Sequence, residues 1–452
     1  MGLLQFVLTL ATACHAVNGL DAEVVSGRVA SPRVDAMRRD YNAKASHSLP
    51  LRKGVRKPGP GSALQRRQNG TAQVVNHNDL YYIVDIEVGD QTIPVNVDTG
   101  SSDTWFVQAP FQCVDMIGIP RQVRHQMKHC GFGSGFNGNF SGGAIPNIRF
   151  SRSYGDGTFV SGYFGYEDVT LGGLKVPHQQ LAMVNFTYWW GEGLTSGLLG
   201  LAYPFMTGID EPSQQYDPIF TNMWKRDKSV APMFSLALSR EDPAAKTESS
   251  LLAFGGVPRG VDYDEDSWAK APIQSMEMMQ GWGIDKPERG LYLIIADNFI
   301  YGPRNGTAED AKTLQLGSPA SLDGMTTNLT QFPVLIDAGS TMTRLPAAMA
   351  REVFAAFDPP AEYLYSEGAW YADCKAKAAA FGVTIGGKTF WIQPSDLLRQ
   401  STRDRETKSK CRVGLYDDEV PPYVLGITFL TNVVAVFDVG ATEMRFAARK
   451  HY

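Results

Sequence analysis

Asp98 and Asp337 stand in two stretches of matching pattern. Val95-Asn96-Val97-Asp98-Thr99-Gly100-Ser101-Ser102 and Val334-Leu335-Ile336-Asp337-Ala338-Gly339-Ser340-Thr341 each run an apolar segment into Asp-x-Gly-Ser. A strand anchored in a core and ended by a glycine, which permits a sharp turn and close backbone approach, presents a carboxylate at a fixed place. One such tripeptide alone reads as a turn whose Asp caps backbone amides. Two in matching contexts read as paired carboxylates. Like charges a few ångströms apart cannot both ionise, so such a pair holds one proton over a range of acid pH and offers an acid and a base together.

The elements that must position these residues echo one another along the chain. Each motif is followed at a similar interval by two apolar residues and a glycine, first Leu198-Leu199-Gly200-Leu201 and later Val424-Leu425-Gly426-Ile427. Two related lobes are expected, each contributing one Asp, with the join around Pro258, the acidic stretch Asp262 to Asp266, and Pro272. Aromatic-rich runs such as Tyr81-Tyr82-Ile83-Val84, punctuated by turn residues, make the expected class all-β. With 452 residues, 43% hydrophobic and 20% charged, the chain can bury a large core, which excludes disorder over most of its length.

Leu3 to Ala13 is apolar, of signal-peptide length and too short to span a bilayer. Five sequons, at Asn69, Asn139, Asn185, Asn305 and Asn328, agree with export and glycosylation. Cys14 falls in the leader, leaving Cys113, Cys130, Cys374 and Cys411 for two disulfides in an oxidising compartment. Three pairings are possible; the two local ones are preferred, each closing a loop within one half of the chain. Residues 21–67 carry 11 basic and 4 acidic side chains, whereas 68–452 carry 31 and 43. A basic, Pro- and Gly-rich segment ending in Arg66-Arg67, behind a leader, reads as a pro-segment cut at the dibasic pair. The expected organisation is a signal peptide over 1–19, a propeptide over 20–67, a first lobe over 68–258 and a second over 259–452. An acidic remainder and export argue against nucleic acid as a partner, and no later apolar run reaches membrane length.

From about residue 76 to the end the chain resembles the pepsin-like aspartic proteases, most closely their fungal secreted members. Asp98-Thr99-Gly100-Ser101-Ser102 with Trp105 is similar to the family's first catalytic motif, and Gly197 to Pro204 to the strand beneath it. Tyr154-Gly155-Asp156-Gly157 resembles the tip of the flap that closes over bound peptide. Tyr423 to Gly426 and Val436-Phe437-Asp438 resemble its C-terminal strands, and Cys374 and Cys411 sit where its second-lobe disulfide lies.

The resemblance implies a two-lobe fold with a cleft, no cofactor and no metal, and Asp98 and Asp337 as catalytic residues. Ser101 and Ser340 would bond the outer carboxylate oxygens and the Gly100 and Gly339 amides the inner ones. It implies a zymogen held by its own propeptide, with Lys53 or Lys57 reaching the pair. Polypeptides are the expected substrates and a monomer the expected state. Tyr154 would bond Trp105 above the pair, and Trp189 and Leu198 would line a pocket for large apolar side chains. Ala338 departs from the pattern, which has Thr or Ser there to brace the opposite loop, so that only Thr99 can do so here. The alternative is an inactive binding or inhibitor protein on the same fold. The expected destination is the medium, ahead of an acidic vacuole.

Other motifs carry less. Gly133-Ser134-Gly135-Phe136-Asn137-Gly138 has the letters of a dinucleotide loop but follows His-Cys rather than an apolar strand. His125 and His129 have a helical ligand spacing, but Cys130 is better used in a disulfide and no His-Glu-x-x-His appears. No Gly-x-Ser-x-Gly elbow is present at Ser134.

Overall fold

The computed structural model describes residues 43–45, 47–55, 80–116, 122–155, 157–188, 193–208, 212–240, 250–279, 287–305 and 318–450. The leader, Asn69, Lys57 and the Arg66-Arg67 pair lie outside them, as do Asp156 and Trp189.

Strands dominate. Among the described residues one sheet of 15 strands runs from Ala269–Pro272 through Glu443–Ala448, Val433–Asp438, Met233–Ala237 and Ser250–Phe254 into the first half of the chain. Three smaller sheets, of five, four and four strands, belong to the second half. Val433–Asp438 pairs antiparallel with Met233–Ala237, so strands from both halves share a ladder. One core cluster likewise runs from Val84, Val95 and Val97 to Leu335, Ile336 and Leu425.

The echo in the sequence is a repeated strand arrangement. Gln91–Asp98 lies parallel to Gly197–Gly200, with Val97 opposite Leu199 and Asp98 opposite Gly200. Pro333–Ile336 lies parallel to Tyr423–Leu425, with Ile336 opposite Leu425. The short runs Gly197–Gly200 and Pro333–Ile336 are wholly apolar and suit strands buried on both faces, whereas Gln91–Asp98 alternates buried with half-buried residues over most of its length. The residues after the two glycines tie down the Asp loops: Leu201 N–H donates to the Asp98 carbonyl at 2.9 Å and Ile427 N–H to the Ser340 carbonyl at 2.8 Å.

The first-half hairpin consists of Ala144–Ser153 and Phe159–Leu171. Ser153 pairs with Phe159, and Tyr154 N–H donates to the Thr158 carbonyl at 2.9 Å, so Tyr154 continues the ladder to the turn. Disulfides join Cys113 to Cys130 and Cys374 to Cys411, the two local pairings.

Part of the expected pro-segment is built into the large sheet. His47–Val55 fills the slot between Ser250–Phe254 and Leu80–Val88, antiparallel to both. Leu51 is buried in the main core, while Arg52 is ion-paired with Asp85 at the surface. Lys53 stands in register with Tyr82. A chain beginning after residue 67 lacks this strand and exposes two ladder edges, besides forfeiting Leu51, whose burial contributes about 1.5–3 kcal/mol. We expect such a chain to refold from urea in much lower yield than the full chain, measured by recovered native fluorescence. Equal yields would contradict this role for the strand.

Candidate active site

Each Asp closes its strand inside a cradle made by its own motif. Gly100 N–H donates to Asp98 Oδ1 at 2.8 Å, and the Ser101 hydroxyl donates to Asp98 Oδ2. In the second half Gly339 N–H donates to Asp337 Oδ1 at 2.8 Å and the Ser340 hydroxyl to Asp337 Oδ2 at 2.6 Å. Both carboxyls are almost wholly buried, 6% and 7% exposed, and each faces the glycine of the other motif across the boundary between the halves. The glycines make the approach possible. A Cβ on Gly100 would sit 2.8 Å from Asp337 Oδ1, and one on Gly339 would overlap Asp98 Oδ1. Neither glycine is required by a left-handed backbone; what each position requires is empty space facing the opposite carboxylate.

Burial, and after it the charge of Asp337, pushes the Asp98 carboxyl up to about 7. Burial also raises Asp337, against the lowering effect of its bonds from Ser340 and Gly339. In so close a pair the titration belongs to both groups.

This has a consequence for stability. The folded pair binds its proton more tightly than an unfolded Asp near 3.8, so its contribution is fully present below about pH 4 and is lost as pH rises towards 7. Asp98→Asn should therefore be less sensitive to this pH interval than the wild type in urea unfolding at pH 4 and 7.5. Parallel losses in the two proteins would rule out the pair as the source.

The loops are braced from one side. Thr99 Oγ1 donates to the Ile336 carbonyl at 3.0 Å and accepts from Ala338 N–H at 2.9 Å. Ala338, fully buried, carries no hydroxyl to return these bonds. Ala338→Thr should supply that brace, raising stability by about 0.5–1.5 kcal/mol while leaving kcat within a few-fold. A melting curve at pH 4 beside a rate measurement checks both, and a destabilised variant would show that the space has closed.

At the end of the hairpin arm, the Tyr154 hydroxyl accepts from Trp105 Nε1–H at 2.6 Å. Burial first, then the charge of Asp98, raises the Tyr154 hydroxyl well above the usual range, which keeps it neutral beside the carboxylates. Leu198 is buried against Trp105 in the same cluster as Tyr154, while Gly155 is exposed at the turn. Cys130 is committed to its disulfide and so is withdrawn from any metal set with His125 and His129.

Sequence reading missed one cluster here. Asp103, just past the first motif, accepts from Arg152 Nε–H and from the Tyr216 hydroxyl, each at 2.6 Å. A signal was available in period-two alternation, which places Arg152 on the Tyr154 side of its strand.

The site thus holds two buried carboxyls, one from each of two echoing strand motifs, and a hairpin whose Tyr154 bonds Trp105 beyond the first motif. The eukaryotic aspartyl protease family model matches residues 81–285 and 312–449. The chain is 34% identical over 389 residues to a probable aspartic-type endopeptidase of Aspergillus fumigatus, covering 84% of this chain and 82% of that one. It is also similar to penicillopepsin-1 of Penicillium janthinellum, 22% identical over 82% of this chain and 95% of the relative. An acid protease of Saccharomycopsis fibuligera is 23% identical over 82% and 81%. This chain belongs to the eukaryotic aspartyl protease family. It is an aspartic endopeptidase with the all-β, two-lobe pepsin-like fold.

Proposed function

We propose that Asp98 and Asp337 are the catalytic pair, cleaving extended polypeptides at acid pH through an activated water. The observation that carries this reading is the meeting of two buried carboxyls, each cradled by its own Gly amide and Ser hydroxyl and each facing the other motif's glycine. One carboxylate takes a proton from a water held between them as its oxygen attacks the scissile carbonyl carbon. The other carboxyl donates its proton to the carbonyl oxygen. The tetrahedral intermediate then collapses with cleavage of the C–N bond, a proton passing to the leaving nitrogen. One water is consumed, no acyl-enzyme forms, and the chain's own groups suffice without a cofactor.

Tyr154 closes the site from above, and the apolar side chains around Leu198 favour large apolar residues at the cut. We further propose that the protein is exported, with residues up to about 67 restraining it as a propeptide. The basic segment opposes an acidic remainder, an attraction that weakens as acid protonates the carboxylates. Among the described residues no helix is long and apolar enough to cross a membrane.

The test is to incubate the acid-treated protein with an unfolded protein substrate at pH 3–5, with and without pepstatin, and map the cuts by mass spectrometry. We expect pepstatin-sensitive cleavage beside Leu, Phe and similar residues. No cleavage at any acid pH would favour the inactive binding protein instead.

A further inference from the structure

The cluster that sequence reading missed lies directly behind the hairpin tip. Arg152 and Tyr154 are two residues apart on one arm, and Asp103 and Trp105 two apart on the segment leaving the Asp98 loop. They meet as consecutive rungs, Trp105 to Tyr154 and Arg152 to Asp103, each with a donor-acceptor distance of 2.6 Å. The second rung is an ion pair with side chains only 19% and 5% exposed.

Charges so removed from water are costly unless their hydrogen-bonding capacity is met. Here Arg152 also donates through Nη1 to the Ser151 carbonyl at 2.9 Å and through Nη2 to the Thr207 carbonyl at 2.7 Å. The second carboxylate oxygen of Asp103 takes the Tyr216 hydroxyl. The guanidinium thus ties the hairpin arm to the Asp98 side of the molecule and to the short helical turn Pro204–Gly208. Hydrophobic side chains of similar volume would fill this space without the electrostatic cost, so the charges call for a role beyond packing. An apolar filling would fix volume; the fork of Arg152 fixes direction and register as well.

We propose that Arg152 and Asp103 are positioning residues that set where the hairpin closes, holding Tyr154 over the Asp98–Asp337 pair when substrate is bound. The inference rests on the catalytic reading above. Neither side chain touches the reacting atoms in this account; they act through Tyr154 and the arm that carries it. Misplacing a closing element by an ångström costs about 100-fold in rate.

The experiment compares full-length, acid-activated wild type with Arg152→Met, Asp103→Asn, Arg152→Lys and the double variant Asp103→Leu/Arg152→Met. Each is assayed for kcat and KM on a long peptide, for pepstatin affinity and for melting temperature. The single variants should lose about 10- to 100-fold in kcat/KM and lose pepstatin affinity in parallel. Arg152→Lys should recover part of both. The double variant leaves no charge stranded, so it should regain the melting temperature without regaining kcat/KM; it carries the comparison if a single variant fails to fold. The proposal is overturned if the double variant recovers activity along with stability, or if the single variants match wild type. An inactive wild type would instead sink the catalytic reading itself.

Discussion

Asp98→Asn and Asp337→Asn are each expected to lower kcat by about 10²- to 10⁴-fold or more, with KM for a peptide little changed. Each substitution keeps the volume and one oxygen for the Gly amide, and the Ser hydroxyl can turn to accept from the new NH2, so the cradle should survive. What it removes is the shared proton: an amide opposite a carboxylate cannot exchange roles within one cycle. The two losses should be similar in size and far from additive in the double variant, because both residues serve one step. Measuring kcat and KM for the three variants at pH 4 checks this. A single variant within tenfold of wild type would mean that its Asp is not part of the reacting pair.

Gly339→Ala should be almost as damaging with no chemical group removed. The added methyl would overlap Asp98 Oδ1 and lie 2.9 Å from its Cγ. Both loops are pinned nearby, the second by Ile427 N–H on the Ser340 carbonyl and the first by Leu201 N–H on the Asp98 carbonyl. The contact can therefore be relieved only by driving the carboxyls apart. Their separation should cost about 100-fold or more in kcat and bring the Asp98 pKa part of the way down from about 7, since burial, the larger cause, remains. Gly100→Ala should behave alike through Asp337. A crystal structure with the carboxyls still in contact, or a rate within tenfold of wild type, would contradict the space argument.

Much of this site was legible in the sequence because its parts are local and repeated. A motif read at Asp98 could be checked against one at Asp337, and each against its apolar partner at Leu198-Leu199-Gly200 and Val424-Leu425-Gly426. Arg152 was harder to read, since a charge on a strand ordinarily marks a solvated face; only the distant arrival of Asp103 and Tyr216 makes it an interior residue. The strand His47–Val55 was masked for a different reason. Leu49 and Leu51 alternate as a strand should, but Pro50 and the basic cluster after them obscure the pattern. Its pairing depends on edges at Ser250–Phe254 and Leu80–Val88 that only the folded chain supplies. The empty space required at Gly100 and Gly339 is likewise a property of two motifs in contact, which neither motif states alone.

The pH dependence of kcat/KM on a soluble peptide tests the central claim most directly. A pair that works with one shared proton predicts a bell confined to the acid side, falling at low pH as the second carboxylate is protonated. It should fall again by about pH 7 as the raised Asp98 proton is lost. An activity that holds level or climbs through pH 8 would contradict a catalytic proton held between Asp98 and Asp337.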